Sequence, residues 1–229
     1  MKWINSTIVL MVSLTTLVSI SACGGGDSES AKPVAETKEV TKAAPETKAI
    51  AENSAGAELY KTKTCFTCHG LDGKTPILPQ YPNIAGQTKE YALQQMIDIK
   101  AGTRANGLTA AMKGIMHLVS DEEMELLAEY VATFPRREGG LSTAKDSEGA
   151  KLFKTKTCFT CHGADGKTPL LPNYPKVEGQ SAEYALQQMQ DIKTGVRNNA
   201  QTAAMKGIMH LVTDEEMTIL ATYLSTLVE

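Results

Sequence analysis

An all-α fold of two tandem domains follows from three features of this 229-residue chain. Tyr60 to Phe134 aligns with Phe153 to Leu227 without a gap, and a direct count finds 53 of the 75 paired positions identical, so the two segments must share one fold. Behind capping residues in each copy, apolar side chains recur at helical spacing. No stretch of any length alternates apolar and polar residues as a strand would. Two copies are too few, and their 93-residue offset too long, for a solenoid array. Composition agrees with an ordinary globular protein: 42% hydrophobic residues and a net charge of −3 exclude a disordered chain and give no reason to expect a nucleic-acid partner.

The first element is an address. One positive charge at Lys2, an apolar run from Ile8 to Val18 and the small-residue ending "SISAC" are the layout of an export signal. The uncharged stretch from Trp3 to Ala22 is nearly long enough to span a bilayer, so an uncleaved anchor is the alternative. The sequence "ISAC" followed by "GGG" resembles the bacterial lipoprotein box. That resemblance implies a signal peptide over residues 1–22 and a lipid on Cys23, the first mature residue. Gly24 is not the aspartate that retains lipoproteins in the inner membrane of some bacteria, which favours the outer membrane and the periplasmic side. Residues 23–53 are rich in Ala, Glu, Lys, Thr and Pro and cannot bury enough surface to fold. They read as a tether of about 30 residues, reaching some 30 Å on average and about 100 Å at full stretch.

The first domain, residues 54–135, reads as three helices, and the second, residues 148–229, repeats them. One runs from about Ser54 to Lys63 (Ser147 to Lys156) straight into a cysteine motif. The next follows the capping residue Thr88 (Ser181), carries Ala92, Met96 and Ile99 (Ala185, Met189, Ile192) on one face and stops at Gly102 (Gly195). The third opens with a capping box, Ser120 with Glu123 and Thr213 with Glu216. Behind it Met124, Leu127, Ala128 and Val131 (Met217, Leu220, Ala221, Leu224) form an apolar stripe. A polar linker over 136–147 carries two adjacent glycines, Gly139 and Gly140. Units of about 80 residues built this way have small cores, which calls for a large apolar cofactor at the centre of each.

The motif itself is "KTKTCFTCHG", at Lys61 to Gly70 and again at Lys154 to Gly163. Cys65, Cys68 and His69, with Cys158, Cys161 and His162, make two C-x-x-C-H patterns. Their spacing suits covalent haem attachment, each thiol adding to a vinyl group while the next histidine coordinates iron. A structural zinc would want four Cys or His ligands in each domain, a thioredoxin-like pair would want a β-α-β context, and a two-residue disulfide would leave the histidine unexplained. Spacing leaves the sixth iron ligand open among Met112, Met116 and His117, and among Met205, Met209 and His210.

Taken together, the N-terminal helix, C-x-x-C-H, the "YPNIAG" loop, the methionine loop and the final "LLAEYVATF" helix resemble class I cytochrome c. The paired motifs "YALQQM" and "DEEM" resemble the di-haem cytochrome c-four family over nearly all of residues 54–229. The resemblance implies two covalently bound haem c groups and Met112 and Met205 as axial ligands beside His69 and His162. It also implies that the carbonyls of Pro82 and Pro175 accept from those histidines, and that Gly56 and Tyr60 with Tyr130, and Gly149 and Phe153 with Tyr223, pack the first helix on the last. With both axial positions filled, the protein is expected to carry electrons between redox proteins, not to catalyse, and to take no small-molecule substrate. A haem-bearing subunit of a periplasmic dehydrogenase, such as a flavocytochrome c sulfide dehydrogenase, is the alternative. Lysines around each motif, Lys61, Lys63, Lys74 and Lys113 with their counterparts, would offer a basic rim to an acidic partner.

Overall fold

The computed structural model describes residues 54–136 and 146–227. The expected signal, Cys23, the tether and most of the linker lie outside the described residues. Among those described there is no strand, and no helix is long and apolar enough to cross a membrane.

Each domain has five helices, two more than the sequence pattern predicts. In the first domain they are α1 (Ala55–Thr62), α2 (Phe66–His69), α3 (Lys89–Ala101), α4 (Thr109–Met116) and α5 (Asp121–Thr133). The second domain repeats them as α6 (Glu148–Thr155), α7 (Phe159–His162), α8 (Ala182–Thr194), α9 (Thr202–Met209) and α10 (Asp214–Thr226). The three expected helices begin at their capping side chains. Ser54 accepts from Ala57 N–H at 3.2 Å and Thr88 from Tyr91 N–H at 3.3 Å. Ser120 and Glu123 close the capping box with bonds of 3.2 and 2.8 Å. Gly102 and Gly195 end α3 and α8 with left-handed φ angles of 80° and 82°, a conformation glycine adopts without a Cβ penalty.

The methionine segment is the correction: the expected loop is the helix α4, repeated as α9. Its sequence, TAAMKGIM, is rich in good helix formers, yet Leu108 precedes it without a side-chain cap and Gly114 interrupts it, so it carries no start signal.

Both apolar stripes are buried as expected, Met124, Leu127, Ala128 and Val131 on α5 and their counterparts on α10. Gly56 lets α1 cross α5 closely: a Cβ there would lie 2.4 Å from the Leu126 carbonyl oxygen and 2.6 Å from Tyr130 Cβ. Gly149 plays the same part in the second domain, where a Cβ would meet Tyr223 Cβ at 2.3 Å. Tyr60, Tyr130 and Phe134 pack edge to face at this crossing.

The domains meet across a pseudo-twofold interface in which most contacts occur twice. Arg104, buried, donates to Gln95 Oε1 (3.0 Å) in its own domain and to the Tyr184 hydroxyl (3.0 Å) in the other. Arg197 does the same to Gln188 (3.0 Å) and Tyr91 (3.1 Å). Asn106 reaches Asp191 at 2.7 Å and Asn199 reaches Asp98 at 2.6 Å. Arg136, the first linker residue, is anchored here too, donating to the carbonyls of Ala85 and Glu178 at 2.6 Å each and pairing with the Glu178 carboxylate. Apart from one Glu178 carboxylate oxygen, these buried polar groups find partners across the interface, which is what lets a polar contact be buried without a large desolvation cost.

Candidate functional site

The approach to each cysteine motif begins with a strained turn. Thr64 takes a left-handed φ of 57°, its N–H donates to the Lys61 carbonyl, and Cys65 N–H donates to the Tyr60 carbonyl, both at 3.0 Å. This is a Schellman cap with a β-branched residue where glycine is usual. Thr157, at 59°, repeats it. The chain therefore passes directly from α1 into the single turn of α2, on which Cys65, Cys68 and His69 stand three and four residues apart on one face. The C-x-x-C-H spacing is thus the spacing of one helical turn.

Past α2, Asp72 accepts from the N–H groups of Lys74 and Thr75 at 3.0 and 2.9 Å and folds the loop back toward the histidine. The loop delivers the Pro82 carbonyl 3.2 Å from His69 Nδ1, and in the second domain the Pro175 carbonyl 3.0 Å from His162 Nδ1. A carbonyl can only accept, so Nδ1 carries the proton and donates. Burial lowers the pKa of both histidines, against the opposing pull of that bond, and keeps the rings neutral. Each Nε2 is left as a bare electron pair. Burial also pushes the Cys65 and Cys158 thiols up to about 11, unlike the depressed thiols of redox-active pairs. No disulfide joins the four motif cysteines.

An apolar cavity of about 440 Å³ runs through both domains. Cys65, His69, Pro82, Met112 and Met116 line its first-domain part, with Cys158, Cys161, His162, Pro175, Met205 and Met209 in the second. Cys68 is not among its lining residues. Met112 and Met116 are one turn apart on α4 and face the same way. Met116 is buried in the core with Val119 and Met124, whereas Met112 is half-buried and packs at the core's edge. Met209 and Met205 repeat the contrast. His117 and His210 are exposed. Among the described residues, no three His, Cys, Asp or Glu side chains gather as a metal-ion site.

This donor set fits a haem in each domain. Apolar walls from Met96, Ile99, Leu127 and Val131 surround a neutral imidazole with a free Nε2, a thiol and a thioether. Tyr91, Gln95, Arg104 and their counterparts form the polar part of the cavity wall, between the two halves. Sequence reasoning missed these interface residues. Their one local trace is a stripe at i, i+4, i+7 in each copy: Tyr91, Gln95 and Asp98, then Tyr184, Gln188 and Asp191.

The expected basic rim is partly neutralised. Lys63 Nζ lies 2.9 Å from Glu123 and Lys156 Nζ 2.8 Å from Glu216, and each also donates to a carbonyl, of Leu118 and Leu211. Acids at the start of α5 and α10, distant in sequence, are thus brought onto the lysines.

The sequence matches the family described as cytochrome c over residues 54–135 and again over 147–228. Cytochrome c4 of Stutzerimonas stutzeri is 31% identical over 193 residues, covering 78% of this chain and 91% of that protein. The thiosulfate dehydrogenase electron acceptor of the same species is 30% identical over 169 residues, 69% of this chain and 76% of that protein. Among solved structures, cytochrome c4 of Acidithiobacillus ferrooxidans superposes with a TM-score of 0.63 at 28% identity, over 72% of this chain and 99% of that one.

Proposed function

The chain belongs to the cytochrome c family, as a di-haem electron-transfer cytochrome with two covalently bound haem c groups, and from that premise we propose that it is a lipid-anchored periplasmic carrier between redox proteins. Bound haem supplies an iron that alternates between ferrous and ferric states. Cys65 and Cys68, and Cys158 and Cys161, hold the two groups through thioether bonds. His69 and His162 would hold iron through Nε2, while the carbonyls of Pro82 and Pro175 hold the Nδ1 protons and fix the ring planes. Met112 and Met205 would hold the iron through their thioether sulfurs, which would raise its potential relative to histidine. Their half-buried place at the cavity wall supports them over Met116 and Met209, whose side chains serve the core. With the histidine and the methionine of each domain both so used, the haems would offer no open site to a substrate.

One observation carries this reading: a motif thiol, a neutral imidazole and a thioether stand along one apolar cavity in both domains. The anchor rests on the sequence alone, with Cys23 as the lipidated residue, residues 24–53 as the reach from the membrane, and Gly24 favouring the outer membrane. The test is a redox titration followed by absorption. The ferric protein should show the red-end charge-transfer band of methionine on iron, and Met112→Ala with Met205→Ala should abolish it. High-spin iron, or carbon monoxide binding by the untreated protein, would overturn the closed-site carrier.

A second reading has a specific observation behind it. Relatives named as thiosulfate dehydrogenase electron acceptors stand among the similar proteins, at 30% and 28% identity. In that reading the chain takes electrons from a periplasmic sulfur-compound dehydrogenase. Reduction of the purified cytochrome by such an enzyme and its substrate, at rates above those for other donors, separates the two.

A further inference from the structure

We propose that Gln87 and Gln180 are positioning residues, each acting through a hydrogen-bond chain on the proximal histidine of the other domain. The inference rests on the reading of His69 and His162 as iron ligands and extends it.

The peptide group that accepts from His69 is the one joining Pro82 to Asn83. Its oxygen faces Nδ1 at 3.2 Å, and its N–H, the other end of the same amide, donates to Gln180 Oε1 at 3.0 Å. In the second domain the Pro175 oxygen faces His162 Nδ1 at 3.0 Å, and Lys176 N–H donates to Gln87 Oε1 at 3.0 Å. The two chains are the same construction crossed over: histidine, peptide, glutamine of the other domain. Return bonds lock each glutamine. Gln180 Nε2 donates to the Asn83 carbonyl at 2.5 Å and Gln87 Nε2 to the Lys176 carbonyl at 2.6 Å. Turning either amide over would set NH₂ against N–H and oxygen against oxygen, so the oxygen is held toward the peptide. Both glutamines are buried, which keeps water from substituting for them.

An amide whose N–H is hydrogen-bonded is polarised, and its oxygen becomes a better acceptor. A better acceptor at Nδ1 makes the imidazole a more basic ligand, and a more basic ligand favours ferric iron. Each domain therefore lowers the potential of the haem in the other. The loops that carry the prolines are braced across the same interface, with Thr88 donating to the Pro172 carbonyl at 2.5 Å and Ser181 to that of Pro79. Those braces place the loops; the glutamines alone touch the peptides that hold the histidines.

The test uses the full di-haem protein with Gln87→Leu, Gln180→Leu and Gln87→Glu. The two haems are followed separately by electrochemical titration and by the Nδ1–H resonances of the proximal histidines in the reduced state. Gln87→Leu should raise the potential of the second-domain haem by about threefold in its one-electron equilibrium, about 28 mV at 59 mV per tenfold. It should move the His162 Nδ1–H resonance and leave that of His69 in place. Gln180→Leu should do the reverse. Gln87→Glu keeps an oxygen toward Lys176 N–H, so the second-domain potential should stay at or below that of the wild type. Shifts confined to the haem of the mutated domain, equal shifts of both haems, or a Gln87→Glu that behaves as Gln87→Leu would each overturn the proposal. Failure of the ligand assignment is a separate result, visible in the wild type as proximal histidines without ring-current-shifted resonances.

Discussion

Gly56 offers a test of how the first and last helices meet. In Gly56→Ala the new Cβ would sit 2.4 Å from the Leu126 carbonyl oxygen and 2.6 Å from Tyr130 Cβ, against about 3.4 Å for an ordinary contact. Neither neighbour is the free end of a flexible chain, so α1 and α5 must part by roughly 1 Å, and overpacking of this kind costs about 2–3 kcal/mol. The parting also strains the 2.7 Å bond from the Tyr60 hydroxyl to the Gly70 carbonyl, which ties α1 to the end of the cysteine turn. Gly114→Ala is the matched control. It too lies inside a helix, but a Cβ there meets nothing within 4 Å, and it should stabilise by about 0.5–1 kcal/mol. Guanidinium unfolding of the holoprotein, followed by far-ultraviolet circular dichroism, should show the two variants moving in opposite directions, with Gly149→Ala and Gly207→Ala repeating the contrast. For a domain of this size each kcal/mol is worth about 4–8 °C in melting temperature. Wild-type stability in Gly56→Ala, or an equal loss in Gly114→Ala, would refute the close-crossing argument.

Two further outcomes follow from other parts of the chain. Burial pushes the Glu178 carboxyl up to about 7, against the opposing pull of Arg136. The folded state then holds that proton to higher pH than the unfolded chain, so stability is highest below about pH 4.5 and falls as pH rises toward 7. The fall amounts to about 3 kcal/mol at most, at about 1.36 kcal/mol per unit. Glu178→Gln should flatten the difference between unfolding at pH 5 and at pH 8; an unchanged slope would assign that dependence to other groups. Cys23→Ser should move the cytochrome from the membrane to the soluble fraction of fractionated cells, and continued membrane retention would remove the lipid from the proposal.

What the sequence made legible is what local chemistry decides. Caps at Ser54, Thr88 and Ser120 set helix starts because each side chain serves an N–H only three residues on. The stripe on α5 marks its buried face because one face of a helix repeats every three to four residues. The thiols and histidine are legible for the same reason, being spaced to a single turn. Helix α4 was hidden because it has no cap to announce it. The interface was hidden because, those of Arg136 apart, its bonds join residues 80 to 106 positions apart, such as Arg104 with Tyr184 and Arg197 with Tyr91, and no local pattern pairs them. The partial neutralisation of the lysine rim was hidden for a related reason: Lys63 and Glu123 are far apart in sequence and 2.9 Å apart in the fold.

The interface also explains why the halves are so alike. When two domains meet about a pseudo-twofold axis, each contact is used twice, and a substitution in one copy breaks the match with the other. Gln87 and Gln180, Arg104 and Arg197, Tyr91 and Tyr184, and Asn106 and Asn199 are identical pairs for that reason, and Thr88 and Ser181 keep the hydroxyl they share. Two of the differences fall where contacts are made once. Ala85 stands opposite Glu178 in the alignment, and Asn83 opposite Lys176. Asn83 Nδ2 donates to the Gly179 carbonyl at 3.2 Å, a bond Lys176 does not return. Glu178 pairs with Arg136, which comes from the linker and so exists once among the described residues. Both departures lie on the loops that carry Pro82 and Pro175. The shared contacts hold the two haem domains together, and the unshared ones make the surroundings of His69 and His162 unequal.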